Sequence, residues 1–163
     1  MTSPVATELT KLCYARHPAP VAVVAASVEG TTHAMVCTSL TAVSLSPPIM
    51  SLAIRKESAT WNALRTAPTV GVSVLSDLQA GVARQIAHNP AARRLENIPL
   101  SATPDRSGRY VDGAAVHYHC RIGTTSDVGD HWLVTLPVIA LTNFDDTVPM
   151  TYPSQYGMPA RVG

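Results

Sequence analysis

Charged and aromatic side chains are scarce in this sequence. Only 14% of its 163 residues are charged and 5% are aromatic, with a single phenylalanine, whereas soluble domains carry roughly 25% charged residues. The formal net charge is +1 and no basic run occurs, so nucleic acid and anionic membranes are poor candidate partners. With so little charge on a small chain, we expect another subunit to cover part of its apolar surface.

Cysteines and long apolar segments are also few. The three cysteines, Cys13, Cys37 and Cys120, lack CxxC spacing, which favours a reducing compartment over a disulfide framework. No segment approaches the roughly 18 apolar residues of a membrane span, and the N-terminus lacks the charged and apolar regions of a secretion signal. We therefore predict a cytoplasmic protein without a membrane segment, and its length predicts one domain.

Alternating and continuous apolar runs dominate the sequence. They predict strands at 21–28, 33–45, 49–54, 69–75, 111–124 and 131–143. Helices are predicted at 3–16, 58–66 and 76–88. Because strands and helices do not alternate regularly, this order predicts a mainly β fold in which a closed antiparallel barrel carries helices on its outside. The run 21–28 is almost wholly apolar, so we expect that strand to be buried on both faces.

Proline and capping residues mark the predicted connections. Ser46-Pro47-Pro48 predicts a sharp corner, because proline donates no ladder hydrogen bond. Ser76 and Gln79 have the spacing of a capping box, and the helix they predict places Leu78 on or near its inner face. Residues 89–110 are polar and contain prolines, so they are predicted to form a loop or excursion.

The stretch 33–60 has little charge and many small hydroxyl residues. Such residues on strands, interrupted by prolines, are typical of a segment that lines a ligand, although an ordinary half-buried β segment gives the same pattern. Ser58 and Thr60 lie at a predicted helix start, where free N–H groups and the helix dipole favour an anion. Plain helix capping is the alternative interpretation of both residues.

Seven short stretches occur in the order found in the flavin reductase-like family. They lie at 18–24, 38–48, 58–65, 72–75, 82–87, 111–114 and 129–131. On these motifs the sequence resembles that family of small reductase components of two-component monooxygenases. The resemblance implies an FMN-binding split β-barrel, an antiparallel Greek-key barrel with flanking helices, that forms a homodimer. We expect one such domain over 1–163, with an N-terminal helix or arm at 1–15 and an extended tail at 150–163.

The resemblance also implies a flavin site near the subunit interface. The segment along the isoalloxazine ring, contacting it chiefly through backbone amides, would consist of Met35, Val36, Cys37, Thr38, Ser39 and Leu40. The side chains that hold the phosphate would be Lys56, Ser58, Thr60 and Arg84. The hydroxyls of Thr38 and Ser39 would add hydrogen bonds to the ring or the ribityl chain, and Cys37 would touch the ring.

The resemblance also implies roles for His131 and Tyr152. His131, in the motif Gly-Asp-His, resembles the family's histidine beside the nicotinamide, which positions the dihydropyridine against flavin N5. A single histidine at a strand start is otherwise structural, and Asp130 either orients its ring or belongs to the turn. Tyr152 resembles a tyrosine that lies near the flavin in some relatives.

The activity implied by the resemblance is NAD(P)H-dependent flavin reduction. Hydride would pass from NADH or NADPH to FMN or FAD, and the reduced flavin would serve a separate oxygenase. Two alternatives stay open: a split-barrel relative that binds flavin or another small molecule and catalyses a different, biosynthetic step, and a non-catalytic binding or scaffold barrel.

A metal site is a further candidate, since His117 and His119 share one face of a strand. No third ligand follows at a recognisable spacing, so we interpret these histidines as barrel-wall residues.

The sequence departs from the family pattern at several positions. Pro20 and Ala34 replace glycines that are usual before the first strand and before the methionine. Val36 replaces a threonine, and Leu40 replaces an aromatic residue. In the last long strand, Leu136-Pro137-Val138 replaces Gly-Glu-Val, and the proline predicts an edge, a bulge or a strand end.

Overall fold

The computed structural model describes residue 10 and residues 13–152. Thr10, Cys13 and Tyr14 are helical, but most of the predicted N-terminal helix lies outside the described residues. The predicted tail lies outside them too, except for its first few residues. Within the described part of the chain, no helix is both long enough and apolar enough to cross a membrane.

Strands make up most of the regular secondary structure in the described part of the chain. In chain order they are β1 (Ala19–Pro20), β2 (Ala22–Val28), β3 (Thr31–Cys37), β4 (Thr41–Leu45), β5 (Pro48–Arg55), β6 (Val70–Val74), β7 (Leu100–Ala102), β8 (Arg109–Val111), β9 (Val116–Cys120), β10 (Thr125–Val128), β11 (His131–Asn143) and β12 (Thr151–Tyr152). Helix α1 (Ala59–Leu64) follows β5, and helix α2 (Ala80–His88) follows β6. The predicted mainly β character is confirmed.

One antiparallel sheet holds most of the strands, in the order β3-β2-β6-β9-β11-β5-β4, with β10 paired to β11. The long strand β11 joins the two halves of this sheet, because its first part pairs with β5 and its second part with β9. Pro137 stands where the partner changes, and the register with β9 shifts between Val138 and Ala140. A residue without an N–H suits such a bulge, so the expectation for Pro137 is confirmed.

Strand β2 is buried on both faces, as its continuous apolar run predicts. Ala22 and Val24 belong to the larger core cluster, which also contains Trp61 of α1. Val23 belongs to a second cluster together with Ile86 of α2. Because successive side chains of a strand point to opposite faces, the two clusters lie on opposite sides of β2.

Two strand predictions are wrong in their boundaries. The predicted strand 33–45 is divided into β3 and β4, because residues 38–40 leave the sheet. The predicted strand 111–124 is also interrupted, since only the residues of β9 pair continuously with β6. The predicted loop 89–110 contains the two-stranded pair of β7 and β8.

The turn before α2 confirms one expectation and corrects another. Oε1 of Gln79 accepts a hydrogen bond of 3.0 Å from the backbone N–H of Ser76, as the capping-box spacing predicts. Leu78, however, is 90% exposed and does not face inward. Asp77–Gln79 forms a 3-10 turn, so its residues do not follow the 3.6-residue period of α2.

The excursion between α2 and β9 is fastened to the barrel at Asp105. Its carboxylate accepts hydrogen bonds of 2.6 Å from the hydroxyls of Thr69 and Thr103, and one of 3.1 Å from the backbone N–H of Ser107. Nε2 of His119 lies 3.3 Å from the same carboxylate. Burial alone would raise the pKa of Asp105, but the hydrogen bonds and the charge of His119 lower it to about 2.

Asp105→Asn is expected to destabilise the fold by about 1–2 kcal/mol at neutral pH, because an amide oxygen accepts these hydrogen bonds less strongly than a carboxylate. The pKa of Asp105 falls from its ordinary value of 3.8 on folding. Its stabilising contribution is therefore present above about pH 4 and is lost as the pH falls toward 2. Urea unfolding at pH 7 and at pH 3 should show a smaller deficit at pH 3.

The exposed Glu57 offers a matched control for this measurement. Glu57→Gln should change the free energy of unfolding by less than about 0.5 kcal/mol at either pH. A deficit of Asp105→Asn that is equal at both pH values would show that the ionised carboxylate does not stabilise the excursion.

Candidate functional site

An open groove of about 340 Å³ lies where the ends of β3 and β5 meet the starts of α1 and β11. It is lined by Met35, Val36, Cys37, Thr38, Ser39, Ala53, Ile54, Arg55, Ser58 and His131. The groove thus brings together three predicted parts of the site that are distant in the sequence: the segment 35–39, Ser58 and His131. Its volume falls within the range of small-molecule sites, roughly 300–1,000 Å³.

The wall formed by residues 35–39 is pinned to β5 through one side chain. The hydroxyl of Ser39 donates to the carbonyl of Ala53 at 2.9 Å and accepts from the N–H of Ala53 at 3.0 Å. Residues 38–40 lie between β3 and β4, so the sheet does not use their backbone N–H groups. The exposed hydroxyl of Thr38 has no hydrogen-bond partner in the described part of the chain. The wall therefore offers donors to a ligand.

Cys37 contributes a neutral side chain to this wall. It is buried, and burial raises the pKa of its thiol to about 12. The thiol is therefore protonated at neutral pH and behaves as a small apolar group.

His131 also lines the groove and is oriented by its neighbour. Its Nδ1 lies 2.7 Å from Oδ1 of Asp130, and this hydrogen bond lowers the pKa of Asp130 below its ordinary value. Because a carboxylate only accepts hydrogen bonds, Nδ1 carries the proton, and in the neutral ring Nε2 is left as an acceptor. Arg55 is the direct cross-strand partner of His131, so the two side chains lie on the same face.

Lys56 fastens the hairpin that carries His131. Its ammonium lies 2.6 Å from Oδ1 of Asp127 and 5.2 Å from the ring centroid of Trp132, and its backbone N–H donates to the carbonyl of Asp130 at 3.1 Å. Lys56 does not line the groove. Its role in holding a phosphate, implied by the resemblance, stays a prediction.

The hydroxyls of Ser58 and Thr60, at the start of α1, have different hydrogen-bond partners. The hydroxyl of Ser58 accepts from the backbone N–H of Trp61 at 3.2 Å, so Ser58 caps the helix as well as lining the groove. The hydroxyl of Thr60 accepts from Nη1 of Arg94 at 2.7 Å and lines a second, smaller pocket.

Three predicted site residues lie away from the groove. Leu40 is buried in the larger core cluster. Arg84 is exposed on α2. Tyr152 pairs with Ala19 between β12 and β1 and packs against the second core cluster. The structure does not bring these side chains to the groove, and their roles stay predictions.

Four residues of the two cavities were not predicted from the sequence: Ala53, Ile54, Arg55 and Arg94. The first three stand at the end of β5, directly before the predicted phosphate residues, and this adjacency was a usable signal. Arg94 had no such signal, because its contact with Thr60 spans 34 positions of the chain.

The histidines of β9 are wall residues in the described structure. Nε2 of His117 lies 2.9 Å from the carbonyl of Val111, and its ring stacks on Tyr110 at 4.4 Å between centroids. Burial lowers the pKa of His117. Among residues 10 and 13–152, no group of three or more His, Cys, Asp or Glu side chains is placed to hold a metal ion.

Comparison with protein families matches residues 14–157 to the flavin reductase like domain. The chain belongs to this family. One relative in the flavin reductase family is an NADH-dependent FAD reductase of Streptomyces globisporus, 29% identical over 113 residues; the match covers 68% of this chain and 62% of that protein. The chain thus spans less than two thirds of that relative's length. Another is the reductase component of 4-hydroxyphenylacetate 3-monooxygenase of Thermus thermophilus, 30% identical over 145 residues, covering 89% of this chain and 91% of the relative.

A solved structure of the flavin reductase family has the same architecture. The NADH:FAD oxidoreductase of Streptomyces globisporus C-1027 superposes with a TM-score of 0.86 at 24% identity, covering 98% of each chain. The predicted split-barrel fold is confirmed by this likeness.

Proposed function

We propose that this flavin reductase family member transfers hydride from NADH or NADPH to FMN or FAD and supplies the reduced flavin to a separate monooxygenase. The observation that carries the proposal is the groove, which gathers the segment 35–39, Ser58 and His131 in one place. The relatives' names, an NADH-dependent FAD reductase and a monooxygenase reductase component, support both the reaction and the kind of partner.

The groove lining fits a flat, largely apolar ring with a hydrogen-bonding edge. Met35, Val36 and Cys37 supply apolar surface, while the hydroxyl of Thr38 and the backbone N–H groups of Thr38 and Ser39 are available as donors. When bound, the flavin supplies the hydride-accepting chemistry, and the protein supplies binding, orientation and exclusion of water.

His131 is the residue that we assign to the nicotinamide. Its Nε2, left as an acceptor by the hydrogen bond to Asp130, can take the carboxamide N–H of the nicotinamide ring. Arg55 beside it adds a positive charge that suits the phosphates of a dinucleotide. A site of this kind contributes to the rate mainly by holding the donor and acceptor atoms about 3–3.5 Å apart.

We also propose that the protein is a homodimer formed through exposed apolar side chains of β4 and of the second half of β11. Val43 and Leu45 of β4 are 59% and 93% exposed, and Ile139 and Leu141 of β11 are 49% and 59% exposed. In the sheet, Leu45 of β4 pairs with Pro48 of β5, and β5 pairs in turn with β11. Strand β5 therefore separates Leu45 from the part of β11 that carries Ile139. A second copy covering these apolar side chains agrees with the low charge content of the chain.

Leu45→Lys is expected to weaken the dimer by at least tenfold, because it would bury a charge without a partner in the interface. Sedimentation velocity at several concentrations measures the change. Leu78→Lys, at an equally exposed leucine outside this group of side chains, should leave the dimer unchanged. Two results would contradict this interface: a wild-type protein that sediments as a monomer, or a dimer that is unchanged by Leu45→Lys.

The activity is tested by mixing the purified protein with NADH and excess FMN and following absorbance at 340 nm. The proposal predicts oxidation of NADH that depends on both flavin and protein. A yellow preparation without NADH oxidation would favour the alternative of a flavin-binding relative with another task, and absence of flavin binding would favour a scaffold barrel.

We propose further that the whole chain acts as one domain in the cytoplasm. The cysteines Cys13, Cys37 and Cys120 are all free thiols, which agrees with a reducing compartment.

A further inference from the structure

The turn between β5 and α1 supplies two side chains of the groove. Arg55 and Ser58 both line the groove. The turn between them is closed by a hydrogen bond of 3.1 Å, which the backbone N–H of Ser58 donates to the carbonyl of Arg55. Lys56 lies inside this turn. The backbone of Lys56 is therefore positioned by the same turn that forms this side of the groove.

The hairpin of β10 and β11 places His131 at its tip. Val128 and His131 are direct cross-strand partners, so only two residues connect the strands. The first of them, Gly129, has a φ of 59°, which a tight hairpin turn favours. All four residues of β10 are exposed, and within the described part of the chain this strand pairs only with β11. Sheet pairing therefore supports β10 from one side.

Lys56 joins the hairpin to the turn through three contacts. Its Nζ lies 2.6 Å from Oδ1 of Asp127. The same atom lies 5.2 Å from the ring centroid of Trp132, within the roughly 6 Å of a cation–π contact. The backbone N–H of Lys56 donates to the carbonyl of Asp130 at 3.1 Å. Because Asp127 and Trp132 are direct cross-strand partners, the ammonium contacts both strands of the hairpin at one level.

We propose that the ion pair of Lys56 and Asp127, called the clamp below, positions His131 for the nicotinamide. The clamp joins the turn that contains Arg55 and Ser58 to the hairpin that contains His131, so it sets the spacing between two parts of the groove. Lys56 and Asp127 are positioning residues, because neither of them lines the groove. The inference rests on the proposed function, in which His131 contacts the nicotinamide.

This role of Lys56 differs from the phosphate contact that the resemblance implies. The ammonium of Lys56 is already bound to the carboxylate of Asp127, and a phosphate would have to replace that partner. The clamp therefore predicts that removing either of its charges has the same consequence. A phosphate contact predicts a loss for Lys56 alone.

The exposure of the clamp limits its effect on stability. The side chain of Lys56 is 32% exposed and that of Asp127 is 66% exposed, and ion pairs between exposed groups contribute little to stability. We therefore expect the clamp to affect the position of the hairpin tip and not the folding of the chain. Because a small misplacement of the reacting groups lowers the rate of a reaction strongly, a displaced His131 should be visible in the kinetics.

Lys56→Met and Asp127→Ala each remove one charge of the clamp. Each variant should lower kcat/KM for the preferred nicotinamide nucleotide, at saturating FMN, by about 3- to 10-fold. The affinities for FMN and riboflavin, measured by quenching of flavin fluorescence, should change by less than about twofold. The double variant should be no worse than either single variant, since both changes remove the same contact. Lys56→Arg keeps the charge and should retain most of the activity.

Arg93→Met is the matched control. Arg93 forms another exposed ion pair, at 3.2 Å from Glu96, and neither residue lines the groove. This variant should change neither kcat/KM nor the flavin affinities. Circular dichroism and the thermal midpoint check that each variant is folded.

Hydrogen exchange at the amide of Lys56 gives a measurement that does not depend on activity. This N–H is bonded to the carbonyl of Asp130, so it exchanges when the hairpin tip moves away from the turn. In Asp127→Ala its exchange should be about 3- to 10-fold faster than in the wild type. In Arg93→Met it should be unchanged.

The outcomes separate the clamp from the reductase proposal. Unchanged exchange in Asp127→Ala would overturn the clamp itself. Faster exchange with unchanged kcat/KM would overturn its role in positioning His131 and leave the reductase proposal intact. Weaker binding of FMN but not of riboflavin, in Lys56→Met alone, would assign Lys56 to the flavin phosphate instead. A wild type that oxidises neither NADH nor NADPH would overturn the proposed function and the positioning role with it, whereas the exchange rates would still decide whether the clamp holds the hairpin.

Discussion

Thr38→Trp is expected to weaken flavin binding by about 10- to 100-fold and to abolish NADH oxidation at low flavin concentration. Thr38 lines the groove and is exposed, and its hydroxyl has no hydrogen-bond partner in the described part of the chain. The indole would therefore occupy the space assigned to the isoalloxazine ring, and accommodating both would cost about 1–3 kcal/mol. Fluorescence titration with FMN measures the loss.

The Thr38→Trp substitution is at an exposed position, so it should not affect folding. Because the side chain is exposed and forms no hydrogen bond in the described part of the chain, the thermal midpoint should stay close to that of the wild type. Thr125→Trp provides the matched control, since Thr125 is an exposed threonine of β10 outside the groove. If Thr38→Trp bound FMN as well as the control does, the ring would have to lie somewhere else.

His131→Ala is expected to lower kcat/KM for NADH by about 10- to 100-fold, because a misplaced nicotinamide loses the short approach that hydride transfer needs. The affinity for FMN should change by less than about threefold, since His131 is assigned to the nicotinamide and not to the flavin. Steady-state kinetics with NADH varied at saturating FMN, together with FMN titration, separates the two effects.

Two further variants define the role of this histidine. Asp130→Asn keeps a hydrogen-bond acceptor for Nδ1 but removes the charge that orients the ring, so it should show a smaller loss of the same kind. His88→Ala, at an exposed histidine of α2, should have no effect. Equal losses of NADH and FMN affinity in His131→Ala would assign His131 to the flavin or to the fold.

Local patterns predicted the features of this protein that depend on neighbouring residues. The continuous apolar run of β2 predicted burial on both faces, because each face meets a separate core cluster. The Ser58 cap and the Ser76–Gln79 contact depend on residues three positions apart. The bulge in β11 lies between Val138 and Ala140, next to Pro137, whose missing N–H predicts an irregularity there. These features need no information about the tertiary fold.

The features that could not be predicted from the sequence depend on contacts between residues far apart in the chain. Lys56 meets Asp127 across 71 positions of the chain, and Arg94 meets Thr60 across 34. Neither contact produces a periodic pattern of residue types in the sequence. The gap between β3 and β4 was missed for a similar reason, since it is held by the bonds of Ser39 to Ala53. The side-chain partners of Lys56 and Thr60 were therefore not predictable from local sequence patterns.

A crystal of the protein soaked in FMN tests the central claim most directly. We expect electron density for the ring in the groove, along residues 35–39 and beside His131. A groove that stays empty at saturating FMN, or that is filled by the protein's own side chains, would contradict the claim that this split barrel binds and reduces flavin there.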